Sequence, residues 1–116
     1  MQKITNRADF FTSATYKTKL VEFKDRDFSV LVRELTQREI EEIGLGIKGD
    51  DENLKGKQAL AVRWCAVDEN MEQLFNKGDI KRLETISSSI ITEISNAIFE
   101  ISGVSQAKEE EKEEKN

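Results

Sequence analysis

The sequence predicts an α+β fold in which an N-terminal β-hairpin packs with a small α-helical bundle, followed by a disordered acidic/Lys C-terminal tail. Three observations carry that prediction. A β-branched and aromatic run, Tyr16–Phe23, is followed by the polar turn Lys24-Asp25-Arg26-Asp27 and the alternating segment Phe28–Arg33. Apolar residues then recur at helical spacing, most clearly over Ser88–Ser102. Finally, residues 106–116 form a Glu/Lys run with no apolar anchor.

Taken in order, Thr5–Ser13 reads as a short helix with Thr5 or Asn6 as its cap. Tyr16–Phe23 is a strand. In Phe28–Arg33, Phe28, Val30 and Val32 share one face, and Ser29, Leu31 and Arg33 the other. That alternation suits a half-buried strand, and the two strands make a hairpin. Thr36-Gln37-Arg38-Glu39 is a capping box: the Thr36 hydroxyl accepts from the Glu39 amide, and the Glu39 carboxylate accepts from the Thr36 amide. Ile40, Ile43 and Ile47 continue this helix until Gly44, Gly46 and Gly49 weaken and end it, leaving Gly46–Asn53 as a loop.

Leu54–Val67 is apolar nearly all round and fits either a buried helix or a strand; its length favours a helix, with Leu60, Trp64 and Val67 on one stripe. Asp68-Glu69-Asn70 is a turn, and Leu74-Phe75 an apolar knot. Asp79 is placed to cap a short helix, Ile80–Thr85, with Ile80 and Leu83 inward. The final helix has an N-cap in Ser87-Ser88-Ser89, a stripe of Ile90, Ile91, Ile94, Ala97, Ile98 and Ile101, and Gly103 at the C′ position. Phe99 lies off that stripe. It either packs against another element or contacts a partner, and packing is favoured because neighbours can cover both flanks of a helix.

With 116 residues the chain is expected to form one domain, residues 1–105, with a charged tail at 106–116. The net charge is −5, of which the tail run Lys108–Lys115 carries −2 and the body −3. Basic residues are interspersed with acids, so no basic stripe offers itself to nucleic acid, whose binding draws on phosphate neutralisation. Cys65, alone and within an apolar run, reads as a buried inert thiol of a reducing cytosol. No apolar run is long enough for a membrane span, and the N-terminus lacks the apolar core of a signal peptide. There is no histidine, which removes the usual general base and the commonest zinc ligand. Asp50-Asp51-Glu52 and Asp68-Glu69 do not match a calcium loop, and Gly44-Leu45-Gly46 is not a phosphate loop. The expectation is a protein with no cofactor, no metal and no catalytic residue.

Four stretches carry a resemblance. They are Val30-Leu31-Val32-Arg33-Glu34-Leu35-Thr36-Gln37-Arg38-Glu39; Val62–Phe75, an apolar segment, acidic turn and Leu-Phe; Asp79-Ile80-Lys81-Arg82-Leu83 with the last helix ending Ile101-Ser102-Gly103-Val104; and the Glu/Lys run ending in Lys115-Asn116. In order and spacing, over roughly residues 28–116, they resemble the tail assembly chaperones of long-tailed bacteriophages. Asn70-Met71 departs from the pattern, where the family often has a glycine. The resemblance implies a protein of the host bacterial cytoplasm that binds and solubilises the tape measure protein and promotes tail tube assembly, and that is absent from the finished virion. It implies that Lys115 and Asn116 mark a slippery heptamer for programmed frameshifting, and that this chain is the short form. The extended form would recruit the tail tube protein. Self-association is compatible with this role. Ile98 and Phe99 are then the expected partner contacts, with Trp64 as the alternative. The competing reading is a virion structural protein, such as a tail completion or head–tail connector component.

Overall fold

The computed structural model describes residues 1–44 and 57–104. It is an α+β arrangement: a three-stranded antiparallel sheet in the order β1-β2-β3, with five helices. The expectations for Ile47, the 46–53 loop, residues 54–56 and the tail from 105 on fall outside the described residues.

α1 (Arg7–Ser13) begins at Asn6, whose side-chain oxygen accepts from the Asp9 amide at 2.8 Å. β1 (Thr18–Phe23) and β2 (Phe28–Arg33) pair with Thr18 opposite Arg33 and Phe23 opposite Phe28. The turn between them closes on the Phe23 carbonyl, which accepts from both Arg26 and Asp27. Asp27 adopts φ 63°, a conformation short polar side chains tolerate better than most. Val21, Phe23, Val30 and Val32 share one sheet face, and Lys19 on that face reaches Glu100 of α5 at 3.0 Å. That face is therefore the one covered by α5 (Ser88–Ile101).

α2 (Gln37–Ile43) shows the expected reciprocal cap: Thr36 Oγ1 accepts from the Glu39 amide at 3.1 Å, and Glu39 Oε1 accepts from the Thr36 amide at 2.9 Å. Gly44, at φ 73°, ends it. Thr36→Ala is expected to lower stability by about 1 kcal/mol, read as a shift in the urea midpoint with unchanged slope.

Segment 57–67 resolves the helix-or-strand ambiguity by using both. α3 (Gln58–Cys65) runs directly into β3 (Ala66–Val67), which pairs with Val32 and Leu31 of β2. Val67 thus belongs to the sheet and not to the helical stripe with Leu60 and Trp64. The chain then reverses: Asp68 Oδ1 accepts from the Asn70 and Glu72 amides, and Leu74 donates to the Ala66 carbonyl. Met71, where the resembled family favours glycine, sits at φ 67°.

The expected cap of the next helix is shifted. Asn76, not Asp79, starts it: Asn76 Oδ1 accepts from the Gly78 amide, and Asp79 Oδ2 accepts from the Asn76 amide. A 3₁₀ turn, Lys77–Asp79, leads into α4 (Ile80–Leu83), shorter than the expected Ile80–Thr85. α5 starts at Ser87 without a side-chain cap bond; its hydroxyl pairs instead with that of Ser89. Gly103, at φ 75°, terminates it. α5 has the sheet on one flank and α3 on another, so the core runs from Val32 through Ile98 to Val62.

Candidate protein-docking surface

The partner contacts expected at Trp64, Ile98 and Phe99 are corrected by burial. These residues are 8%, 0% and 1% exposed, all within the hydrophobic core. Because α5 is packed on both flanks, its buried arc extends past the isoleucine stripe and takes in Phe99. None of the three offers a partner any useful surface in this state. Lys115 and Asn116 lie outside the described residues.

The face of β2 that carries Ser29, Leu31 and Arg33 also hides a charge. Arg33 is 6% exposed. Its guanidinium forms a bidentate pair with Glu39, donating from Nη1 to Oε1 at 3.0 Å and from Nη2 to Oε2 at 2.9 Å. It also donates to the Trp64 carbonyl at 2.9 Å and the Glu34 carbonyl at 2.8 Å, and lies 5.0 Å from the Tyr16 ring centre. Burial, the largest single effect, would lower the Arg33 pKa, but the hydrogen bond to Glu39 and the charge interactions with Cys65, Glu39 and Tyr16 together outweigh it and the net shift is upward. Burial alone would raise Glu39; the bonds from Arg33 and Thr36 bring it below its ordinary value. The Arg33–Glu39 pair thus pins α2 to the junction of α3 and β3. One sequence signal points to it: Glu39 is the capping-box carboxylate, and Arg33 stands just before the capped turn.

Cys65 is fully buried beside Arg33. Burial pushes its thiol up to about 12, against the pull of the Arg33 charge. Since the thiolate is the reactive form, Cys65 is expected to resist thiol-labelling reagents in native buffer and to label fully in denaturant, with the adduct counted by mass spectrometry. Among the described residues, no group of three or more His, Cys, Asp or Glu is placed to hold a metal ion. No described helix is long and apolar enough to cross a membrane.

What the surface does offer is apolar. Two adjoining hollows flank Leu83 and Ile86. One, of about 340 Å³, is lined by Phe75, Asp79, Arg82, Leu83 and Ile86. The other, of about 210 Å³, continues from Leu83 and Ile86 to Ala59, Glu84 and Ile91. Ile86 is 41% exposed and Leu74 49%. The result is a groove with an aliphatic and aromatic floor and a rim of Asp79, Arg82 and Glu84. From the sequence, Phe75 belongs to an apolar knot, Leu83 faces inward on a short helix and Ile91 lies on the stripe of the last helix, while Ile86 carries no assignment; nothing in their spacing reveals that α3, α4 and α5 leave a gap between them. A second apolar feature stands on α1, where Phe10 and Phe11 are 51% and 63% exposed and no residue is buried.

No family model, curated protein or solved structure matches the chain.

Proposed function

We propose that this chain is a phage tail assembly chaperone that holds helical segments of the tape measure protein and keeps them soluble until tail tube subunits assemble around them. The observation that carries the reading is the exposed groove around Leu83 and Ile86 on a small acidic domain. Grooves of this kind accept the apolar face of an amphipathic helix, read as residues spaced three and four apart. The charged rim orients such a helix and keeps loaded complexes apart, as net charge does in general. A tape measure helix many turns long presents that face repeatedly, so modest contacts accumulate into strong avidity. The resemblance of residues 28–116 supplies the identity of the client, which the groove alone does not specify. On this reading a frameshift-extended form adds a contact to the tail tube protein.

The test is co-expression of the chain with a tape measure protein from the same genome. The expected result is that the tape measure protein stays soluble and co-purifies, and that Ile86→Asp abolishes both effects while the variant remains folded. An insoluble tape measure protein beside abundant wild-type chain would refute the reading. Finding the chain in purified virions would favour a connector or completion role instead.

A further inference from the structure

We propose that, before a client is loaded, the α1 arm of one copy seats Phe10 and Phe11 in the Leu83–Ile86 groove of a second copy, and that two antiparallel copies exchange arms in this way to form a closed dimer. The inference rests on the groove being a docking surface, as above, and names what fills it in the free protein.

The arm is a helix without a home. α1 has seven residues, and isolated helices of that length are marginal in water. It nonetheless carries a satisfied N-cap and an edge-to-face aromatic pair with ring centres 5.4 Å apart. Both rings are more than half exposed, and none of its residues is buried. A capped helix displaying two phenylalanines fits the mode in which helix-borne aromatic anchors enter a groove.

Charge matches the arm to the groove. Residues 1–13 carry Lys3 and Arg7 against Asp9, whose carboxylate accepts from the Asn6 side chain. The groove rim carries Asp79 and Glu84 against Arg82. The arm is thus net basic and the rim net acidic.

Topology roots the arm at the far end of α5 from its own groove, and neither Phe10 nor Phe11 lines that groove in this structure. The arm leaves the sheet at Lys17, which bonds Glu34. The next residue, Leu35, donates its amide to Ser102, at the C-terminal end of α5. The groove lies at the other end of α5, beside Ser88 and Ile91, where Arg26 of the hairpin tip reaches Ser87. Those ends are about 20 Å apart at 1.5 Å per helical residue. A second copy lying antiparallel brings each arm to the other's groove, and one two-fold arrangement occupies both arms and both grooves.

The test uses the full chain in sedimentation velocity over a wide concentration series, alongside F10S/F11S and Ile86→Asp. All three substituted side chains are substantially exposed, so these variants fold. The wild type is expected to dimerise reversibly, and each variant to weaken dimerisation by about tenfold or more. Phe11→Cys chains mixed with Ile86→Cys chains should form a mixed disulfide in preference to either like pair. A wild type that stays monomeric, a dimer indifferent to both variants, or a ladder of species larger than two would overturn the proposal. F10S/F11S separates the two readings: it removes the dimer and leaves tape measure capture intact. If Ile86→Asp abolished capture while the wild-type chain stayed monomeric, the chaperone reading would stand and this one would fall.

Discussion

Arg33→Ala is expected to lower stability by about 3–5 kcal/mol, the range for removing one member of a buried ion pair and stranding the other. The stranded group is Glu39, whose side chain is 13% exposed and whose best partner would be gone. Arg33 also satisfies the Trp64 and Glu34 carbonyls, so its loss loosens the α3–β3 junction together with the start of α2. Urea denaturation followed by Trp64 fluorescence checks this directly. Replacing both partners with apolar residues, as in R33M/E39L, should cost much less, because no charge is left unpaired.

The same pair predicts how acid acts on the fold. Glu39 has a folded pKa below its ordinary value of 4.5. Its contribution is therefore complete above that value and is lost as pH falls through the depressed folded value. Arg33 is shifted upward and stays charged throughout this range. The wild type should lose stability on acidification below about pH 4.5 more steeply than R33M/E39L. Urea midpoints measured from neutral pH downward give the comparison.

The second large effect is at Phe99. Phe99→Ala should lower stability by about 3–5 kcal/mol, since it empties a site that is 1% exposed between packed elements. The matched control is Phe11→Ala, at 63% exposure, which should stay within about 0.5 kcal/mol of wild type when both are compared at concentrations that keep the chain monomeric. A large loss at Phe99 with none at Phe11 separates the core aromatic from the surface one. If the two variants were equally stable, the packing described around α5 would be wrong.

Much of the fold is legible in the sequence because short-range rules act there without competition. The Thr36–Glu39 box, the cap at Asn6 (one of the two candidates there) and the Gly103 terminator each depend on neighbours within a few residues. The misjudged features depend on distant ones. Val67 leaves the helical stripe, and Ala66 the helix, because β2 offers them a ladder. Arg33 is buried although its strand position is polar, because Glu39 and the Trp64 carbonyl converge on it from other elements. Phe99, by contrast, packs in the core as the sequence favours, although it lies off the isoleucine stripe. The groove is less legible still: it is a gap between α3, α4 and α5, and a gap has no residue pattern of its own. Cys65, by contrast, reads correctly from its apolar context as buried.

The central claim is that the groove around Leu83 and Ile86 takes a helix of the tape measure protein. Its most direct test is a titration of the isotope-labelled chain with a tape measure helix, following backbone and methyl signals by NMR. The account predicts perturbations centred on Phe75, Leu83, Ile86 and Ile91, with Trp64 and Ile98 little affected. Saturable perturbations confined to a distant surface, such as the open face of β1 around Leu20, would contradict it, as would an unchanged spectrum.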